Sequence, residues 1–296
     1  MTDTQTRPPE YLTVRELAEL LRIKERKVYD LAASGEVPCS RATGKLLFPE
    51  REIRAWIAQA SSGGPVAERA DQPGVFLGSH DPLLEWALRQ SRCGLATYFD
   101  GSLDGLTRFR AGEGVAAGLH IHDATTGEWN TPRVAADCAG ENAVLVGWAT
   151  RRRGLVIRAE EDTIAGISDL RGRRVVPRQP ESGTETLFRE RLAAAGLSSD
   201  DITLAEIARS EHDAVLAVAQ GDADAAFGLE ALARLFGLGF APVVEERFDL
   251  LIDRRAWFEP PVQAFLAFCR TDEFRDRAAN TAGYDVSSLG EVRWNA

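Results

Sequence analysis

Three short runs in this 296-residue chain set hydroxyl side chains beside glycine: Gly78-Ser79-His80-Asp81, Asp100-Gly101-Ser102 and Glu181-Ser182-Gly183-Thr184. Each stands where a strand-like segment gives way to a helix-like one. A helix start offers unpaired amides and a partial positive charge; Ser or Thr adds a hydroxyl donor, and Gly lets a ligand come close. A single run of this kind is an ordinary helix cap. Three of them, with Arg178 and Gln179 just before the third, describe an anion clamp built from few basic side chains.

All four histidines, His80, His120, His122 and His212, fall in the same part of the chain. Imidazole is a common metal ligand, but no pair here has the i, i+4 spacing of one helix face. His120 and His122 alternate along a strand-like stretch and so face opposite sides. Neither a metal nor a cofactor is expected. Ser182, His212 and Asp224 could serve as nucleophile, base and orienting acid. However, Gly-x-Ser-x-Gly is absent, and a binding cleft accounts for the same residues, so no enzyme is expected.

A second chemistry sits near the N-terminus. Arg22, Lys24, Arg26, Lys27 and Tyr29 cluster at the start of one helical segment, and Arg41 and Lys45 flank a turn further on. The chain has three lysines, Lys24, Lys27 and Lys45, all in this region. Residues 1–60 carry ten Lys/Arg against nine Asp/Glu, whereas the remainder carries 25 against 36. Such a patch suits phosphates and base edges of DNA.

The elements that must hold these groups can be read in order. Thr13 with Glu16 is a capping box, followed by Val14, Leu17, Ala18 and Leu21 at helical spacing. A second helix spans about residues 24–33, with Val28, Leu31 and Ala32 inward and Gly35 as its terminator. Residues 37–48 suggest a two-stranded wing turning at 42–44, and Pro49 opens a third helix carrying Ile53, Trp56 and Ile57. The whole reads as a winged helix-turn-helix over residues 1–60. The second helix would enter the major groove, with Thr13 and Arg15 nearby. Glu25 and Asp30 on that helix oppose phosphate attraction.

The stretch Tyr-Leu-Thr-Val-Arg-Glu-Leu-Ala-Glu-Leu-Leu with Val-Tyr-Asp-Leu-Ala-Ala-Ser-Gly-Glu-Val-Pro resembles the excisionase-type branch of the MerR-like winged-helix family. That resemblance implies a DNA-binding module of about 50 residues.

Ser61-Ser62-Gly63-Gly64-Pro65, running on to Pro73-Gly74, reads as a flexible linker over 61–73. From residue 74 to 296 strand-like and helix-like segments alternate, which implies an α/β architecture with parallel strands. The blocks Gly-Ser-His-Asp, Gly-Leu-His-Ile-His-Asp, Arg-Gly-Leu-Val-Ile, Arg-Gln-Pro-Glu-Ser-Gly-Thr and Ala-Gln-Gly-Asp-Ala-Asp-Ala-Ala-Phe-Gly are similar to the two-lobed, type II periplasmic-binding-protein-like domain of molybdate- and tungstate-binding proteins. By that resemblance Ser79 and Ser102 are first-lobe donors, and Ser182, Gly183 and Thr184 form the second-lobe helix start, with Arg178 as counter-charge. His80 belongs to the first junction. Asp81, His120, His212 and Asp224 become polar wall or supporting residues. Glu181 departs from the pattern, because a carboxylate beside the clamp should repel an anion.

No apolar run reaches membrane-spanning length, the N-terminus lacks an apolar signal core, and Cys39, Cys93, Cys138 and Cys269 lack metal-ligand spacing. A cytoplasmic protein with reduced thiols is expected. The two resemblances together imply a ligand-responsive, DNA-binding homodimer that senses molybdate, tungstate or a molybdenum-cofactor-related metabolite. An architectural or excisionase-like protein whose large domain mainly dimerises is the alternative.

Overall fold

Thr13 caps the first helix as its spacing with Glu16 requires: the Glu16 amide donates to the Thr13 hydroxyl, and the Thr13 amide donates to the Glu16 carboxylate at 2.8 Å. The computed structural model describes residues 11–41, 44–59 and 72–296. The chain divides into two compact units, one ending at Asp71 and one beginning at Gln72.

In the first unit, strand β1 (Tyr11–Leu12) leads into α1 (Val14–Leu21), α2 (Glu25–Ser34), β2 (Phe48–Pro49) and α3 (Glu50–Gln59). Leu17, Val28, Ala32, Phe48 and Ile53 close its core. Arg22 and Gly35 end the two helices in the left-handed region, at φ of 53° and 72°. The wing is slighter than expected. Ser40 and Leu47 make a single antiparallel bridge, while β2 pairs with β1 instead. Pro49 ends that strand rather than beginning the helix. The turn at Ala42-Thr43 lies outside the described residues, as do residues 61–71 of the expected linker.

The second unit is a two-lobed α/β domain. Its first lobe is built from β3 (Val75–Gly78), α4 (Pro82–Ser91), β4 (Ala96–Phe99), α5 (Ser102–Arg110), β5 (Ala116–Leu119) and α6 (Thr131–Asp137). Strand β6 (Ala143–Ile157) then crosses to the second lobe, made of β7 (Arg174–Val176), α7 (Gly183–Ala194), β8 (Thr203–Leu204), α8 (Glu211–Gln220), β9 (Ala225–Leu229) and α9 (Glu230–Leu235). Strand β10 (Gly239–Asp253) returns. Helices α10 (Arg254–Trp257), α11 (Pro260–Phe268) and α12 (Asp272–Ala279), with strands β11 (Tyr284–Asp285) and β12 (Val292–Asn295), finish the first lobe.

The strand order is β4-β3-β5-β10-β6-β9-β7-β8. Read inward from either end, each half has the same pattern: its second strand, its first, its third, then a strand arriving from the other lobe. Strands β3, β4 and β5 are parallel, as are β7, β8 and β9. The two 15-residue strands β6 and β10 pair antiparallel from Ala143–Asp253 to Ile157–Gly239 and carry the only strand connection between lobes among the described residues. In a sheet of this kind ligands bind beyond the carboxyl ends of the parallel strands. The residues after β3, β4, β5 and β7 are Ser79, Asp100, His120 and Pro177-Arg178.

Strand β6 joins apolar runs at 143–149 and 155–157 across a charged segment, and β10 reaches its apolar end at 250–252 through another. Within the charged stretches Arg151-Arg152-Arg153 and Glu245-Glu246-Arg247, Arg151, Arg153 and Glu246 are fully buried. The expected strand through His120 and His122 stops at Leu119.

Close backbone packing sets the first-lobe junctions. A methyl group at Gly105 of α5 would sit 2.2 Å from Gly78 Cα, so the helix lies directly on the end of β3. Gly105→Ala is therefore expected to cost about 1–3 kcal/mol by overpacking. The thermal midpoint should fall about 2–4 °C per kcal/mol, as read by calorimetry.

Candidate functional site

Capping chemistry brings four helix starts to the gap between the lobes. Asp81 caps α4, accepting from the Leu84 amide at 2.7 Å; Gly101 precedes α5; Ser182 caps α7 through the Glu185 amide at 3.0 Å; and Ser210 caps α8 through the Asp213 amide at 3.0 Å. Between them is a cavity of about 90 Å³, lined by Ser79, His80, Phe99, Asp100, Gly101 and His120 from the first lobe. Arg178, Gln179, Ser182, Thr184, Arg209, Ser210 and Glu211 line it from the second.

The lobes are closed on this cavity. Gln179 Nε2 donates to the Asp100 carbonyl at 3.0 Å, and His122 Nδ1 meets Glu190 Oε2 at 2.6 Å. A Cβ at Gly183 would lie 2.7 Å from the His120 carbonyl, so only glycine allows this approach.

Behind the cavity runs a buried chain of alternating charge. Arg151 Nη1 donates to Asp81 Oδ2 at 2.7 Å, and its other terminal nitrogen donates to Glu246. Arg153 grips Glu246 with two bonds, 2.7 and 3.0 Å, and reaches Glu211 at 3.1 Å. Glu211 accepts from Thr184 Oγ1 at 2.7 Å and lies 3.1 Å from Arg178 Nη1. Three guanidinium groups thus balance three carboxylates, and the chain extends from α4 in the first lobe to α8 in the second. The His120 ring stacks on Phe248 with centroids 5.8 Å apart and sets Nδ1 3.2 Å from Glu246. Arg151 lies over the same Phe248 ring, 4.3 Å from its centroid. Strand alternation explains the sorting: Arg151 and Arg153 face inward, while Arg152 points outward to Glu230 at 2.8 Å.

Burial would disfavour charge on Glu211, but Arg153 and Arg178 outweigh it and hold the carboxyl at about 2. Glu246 is likewise pulled well below its ordinary value, with Arg151 and Arg153 overriding burial. For His120 burial prevails over Glu246, keeping the imidazole neutral near pH 7.

Arg178 is the buried cation presented to the cavity, which the exposed Arg209 also lines. Its Nε donates to the Ala208 carbonyl at 3.0 Å and Nη2 to that of Arg209 at 3.1 Å. Nη1, though near Glu211, is not aligned for a hydrogen bond and has no other partner. Ser79 Oγ bonds Ser102 Oγ at 2.8 Å, and Ser102 Oγ accepts from the His120 amide at 3.0 Å.

Of the residues expected at the ligand, Ser79, His80, His120, Arg178, Ser182 and Thr184 line the cavity. Ser102, Asp81 and Gly183 stand behind the wall, the first two fully buried. Two expectations are corrected. His212 is exposed, edge-on to Phe236 at 4.8 Å, because its neighbour Glu211 takes the inward position. Asp224 precedes β9, at the opposite end of that strand from the cleft, where it accepts from the Arg174 amide at 2.8 Å. Ser182, His212 and Asp224 therefore do not assemble. Glu181 is exposed and outside the cavity lining, so the buried carboxylate at the cavity is Glu211, which is paired with Arg153 and Arg178. Sequence reasoning missed Arg151, Arg153, Glu211 and Glu246. Two arginines spaced by two within the apolar run of β6, and the Ser210–Asp213 capping box, were the available signals.

In the first unit Arg22, Lys24, Arg26, Lys27, Tyr29 and Lys45 are exposed. Thr13 is committed to its cap, and Arg15 pairs with Glu19 at 3.0 Å. Arg41 turns back to the Ala32 carbonyl at 3.4 Å, closing the end of α2 instead of standing free at the wing tip.

The family described as a PBP superfamily domain matches residues 85–270, and a helix-turn-helix domain matches residues 11–61. The chain belongs to the PBP superfamily and carries an N-terminal helix-turn-helix domain. The uncharacterized protein YvgK of Bacillus subtilis (strain 168) is 24% identical over 302 residues, covering 95% of this chain and 96% of that one. Among solved structures, a Clostridium perfringens protein assigned as a phosphate ABC transporter substrate-binding protein, with bound phosphate, superposes with a TM-score of 0.52 at 13% identity. It covers 73% of this chain and 98% of that one. The alkanesulfonate-binding protein SsuA from Xanthomonas axonopodis pv. citri, bound to MOPS, has a TM-score of 0.43 at 20% identity, covering 69% and 75%. No described helix is long and apolar enough to cross a membrane, and no cluster of metal-binding side chains occurs among the described residues.

The charge chain makes a checkable demand. Glu211→Gln leaves Arg153 and Arg178 short of counter-charge and should cost about 3–5 kcal/mol in a denaturant titration. The folded carboxyl, at about 2, lies below its unfolded value, so its contribution is full above about pH 5 and fades as pH falls toward 2. The gap between wild type and Glu211→Gln should narrow over that same interval.

Proposed function

We propose that the protein is a ligand-responsive, DNA-binding transcription regulator that acts as a cytoplasmic homodimer. Helix α2 reads DNA, and the interlobe cavity binds a small anion. One observation carries the ligand reading: helix starts from both lobes and Arg178 Nη1, which has no hydrogen-bond partner, meet at one interlobe cavity. An anion there gains amide, hydroxyl and guanidinium donors without needing a large basic patch.

The cavity favours a compact guest. Its volume is about 90 Å³. A tetrahedral oxyanion such as molybdate, tungstate or phosphate fits that space; a pterin-like metabolite needs more. By analogy, the Clostridium perfringens structure carries phosphate, an anion of this shape. The MerR-like assignment of the first unit rests on its sequence alone. Ligand contacts made from both lobes favour closure, and a preference of that kind is the free energy available to bias DNA affinity.

Titration of the full-length protein with molybdate, tungstate, phosphate and sulfate tests both halves. A ligand at 100 times its dissociation constant should add about 2.7 kcal/mol of stability. The same ligand should change DNA affinity by roughly 5- to 150-fold in a mobility-shift assay. Arg178→Gln should abolish both effects. Stabilisation without any change in DNA affinity would leave a binding protein that is not a switch.

A further inference from the structure

The free face of α2 carries a pair of side chains whose chemistry is more selective than phosphate attraction. Val28 and Ala32 bury one side of this helix. Arg26 and Asp30, one turn apart, stand on the opposite side and are both exposed. Opposite charges four residues apart ordinarily close on each other. In this chain they do so at Arg15–Glu19 (3.0 Å), Glu50–Arg54 (2.6 Å) and Arg133–Asp137 (2.6 Å), the last in the same Arg-before-Asp order. Arg26 and Asp30 do not, and neither head has a hydrogen bond or ion pair with any described residue. Tyr29, 54% exposed, and Ala33 complete a face with no partner among the described residues of this unit.

A carboxylate at the centre of a DNA-facing helix is repelled by phosphates. What rewards it in the major groove is an N–H donor on a base edge, and the exocyclic amine of cytosine is such a donor. A guanidinium beside it matches the paired acceptors O6 and N7 of guanine. Lys24 and Lys27, both exposed, are left for the phosphates. Building on the DNA-binding reading above, we infer that Arg26 and Asp30 are base-reading residues, which select a guanine and a cytosine within about two base-pair steps in each half-site. The four-residue separation, about 6 Å along the helix, matches that spacing. Asp30 then supplies selectivity at the expense of general affinity.

The test is selection of bound duplexes from a randomised library by full-length wild type, Arg26→Ala, Arg26→Lys and Asp30→Asn, each first shown to keep the wild-type melting temperature. Wild type should enrich a half-site with one dominant guanine and one dominant cytosine nearby. Arg26→Ala should relax the guanine position, with a loss of roughly 5- to 150-fold for the preferred site. Arg26→Lys keeps the charge but not the fork, and should relax the same position. Asp30→Asn should exchange cytosine for adenine at one position, because an amide pairs with adenine N6 and N7. If Asp30→Asn instead tightens binding to every sequence equally, Asp30 acts only through its charge and the inference is overturned. Enrichment of no sequence by wild type would remove the DNA-binding reading itself, a different failure.

Discussion

Charge neutrality inside the two crossing strands is the constraint on which the larger unit depends. Arg151 and Arg153 on β6 and Glu246 on β10 are fully buried side by side. Buried charge is tolerated only where partners and hydrogen bonds replace water. Asp81 and Glu211 therefore complete the set from the first and second lobes. Both are tied to helix starts, Asp81 as the α4 cap and Glu211 as the first residue of α8. The network thus holds helix starts from both lobes, and through Glu211 and Thr184 it reaches the start of α7.

That arrangement bears on sensing. A hydrophobic floor of equal volume would stabilise at least as well, but it would not orient Arg178. Here Arg178 is held by two backbone carbonyls and by proximity to Glu211, and one of its nitrogens is left unmatched. The proposed anion would complete its coordination. Because the network is neutral with Arg178 counted, the proposed guest would be held by donors arranged in advance rather than by a general positive field. On the proposed reading, this is how a domain carrying 36 acidic residues against 25 basic ones beyond residue 60 would bind an anion.

The helix-turn-helix unit follows a different logic, since its features are local. Capping at Thr13, termination at Gly35 and the apolar set Leu17, Val28, Ala32 and Ile53 depend on neighbours a few residues away. They were legible from spacing alone. The wing was less so, because a hairpin and a strand returning to pair with β1 share the same apolar alternation. Arg41 could be placed near the wing, but its retreat to the Ala32 carbonyl depended on the distance between two elements.

Sequence by itself determined the class of architecture, the division into a small basic unit and a larger acidic one, and most of the junction residues facing the cavity. Those readings rest on periodicity, capping and glycine placement, which are short-range. Tertiary structure alone decided that Glu211 rather than His212 points inward, that Asp224 lies at the wrong end of its strand, and that Arg151, Arg153 and Glu246 are buried where β6 and β10 cross between the lobes. A charged residue in a strand carries no local sign of burial. Its fate depends on whether an opposite charge, distant in the chain, arrives beside it, as Glu246 does for Arg151 and Arg153 across nearly 100 positions.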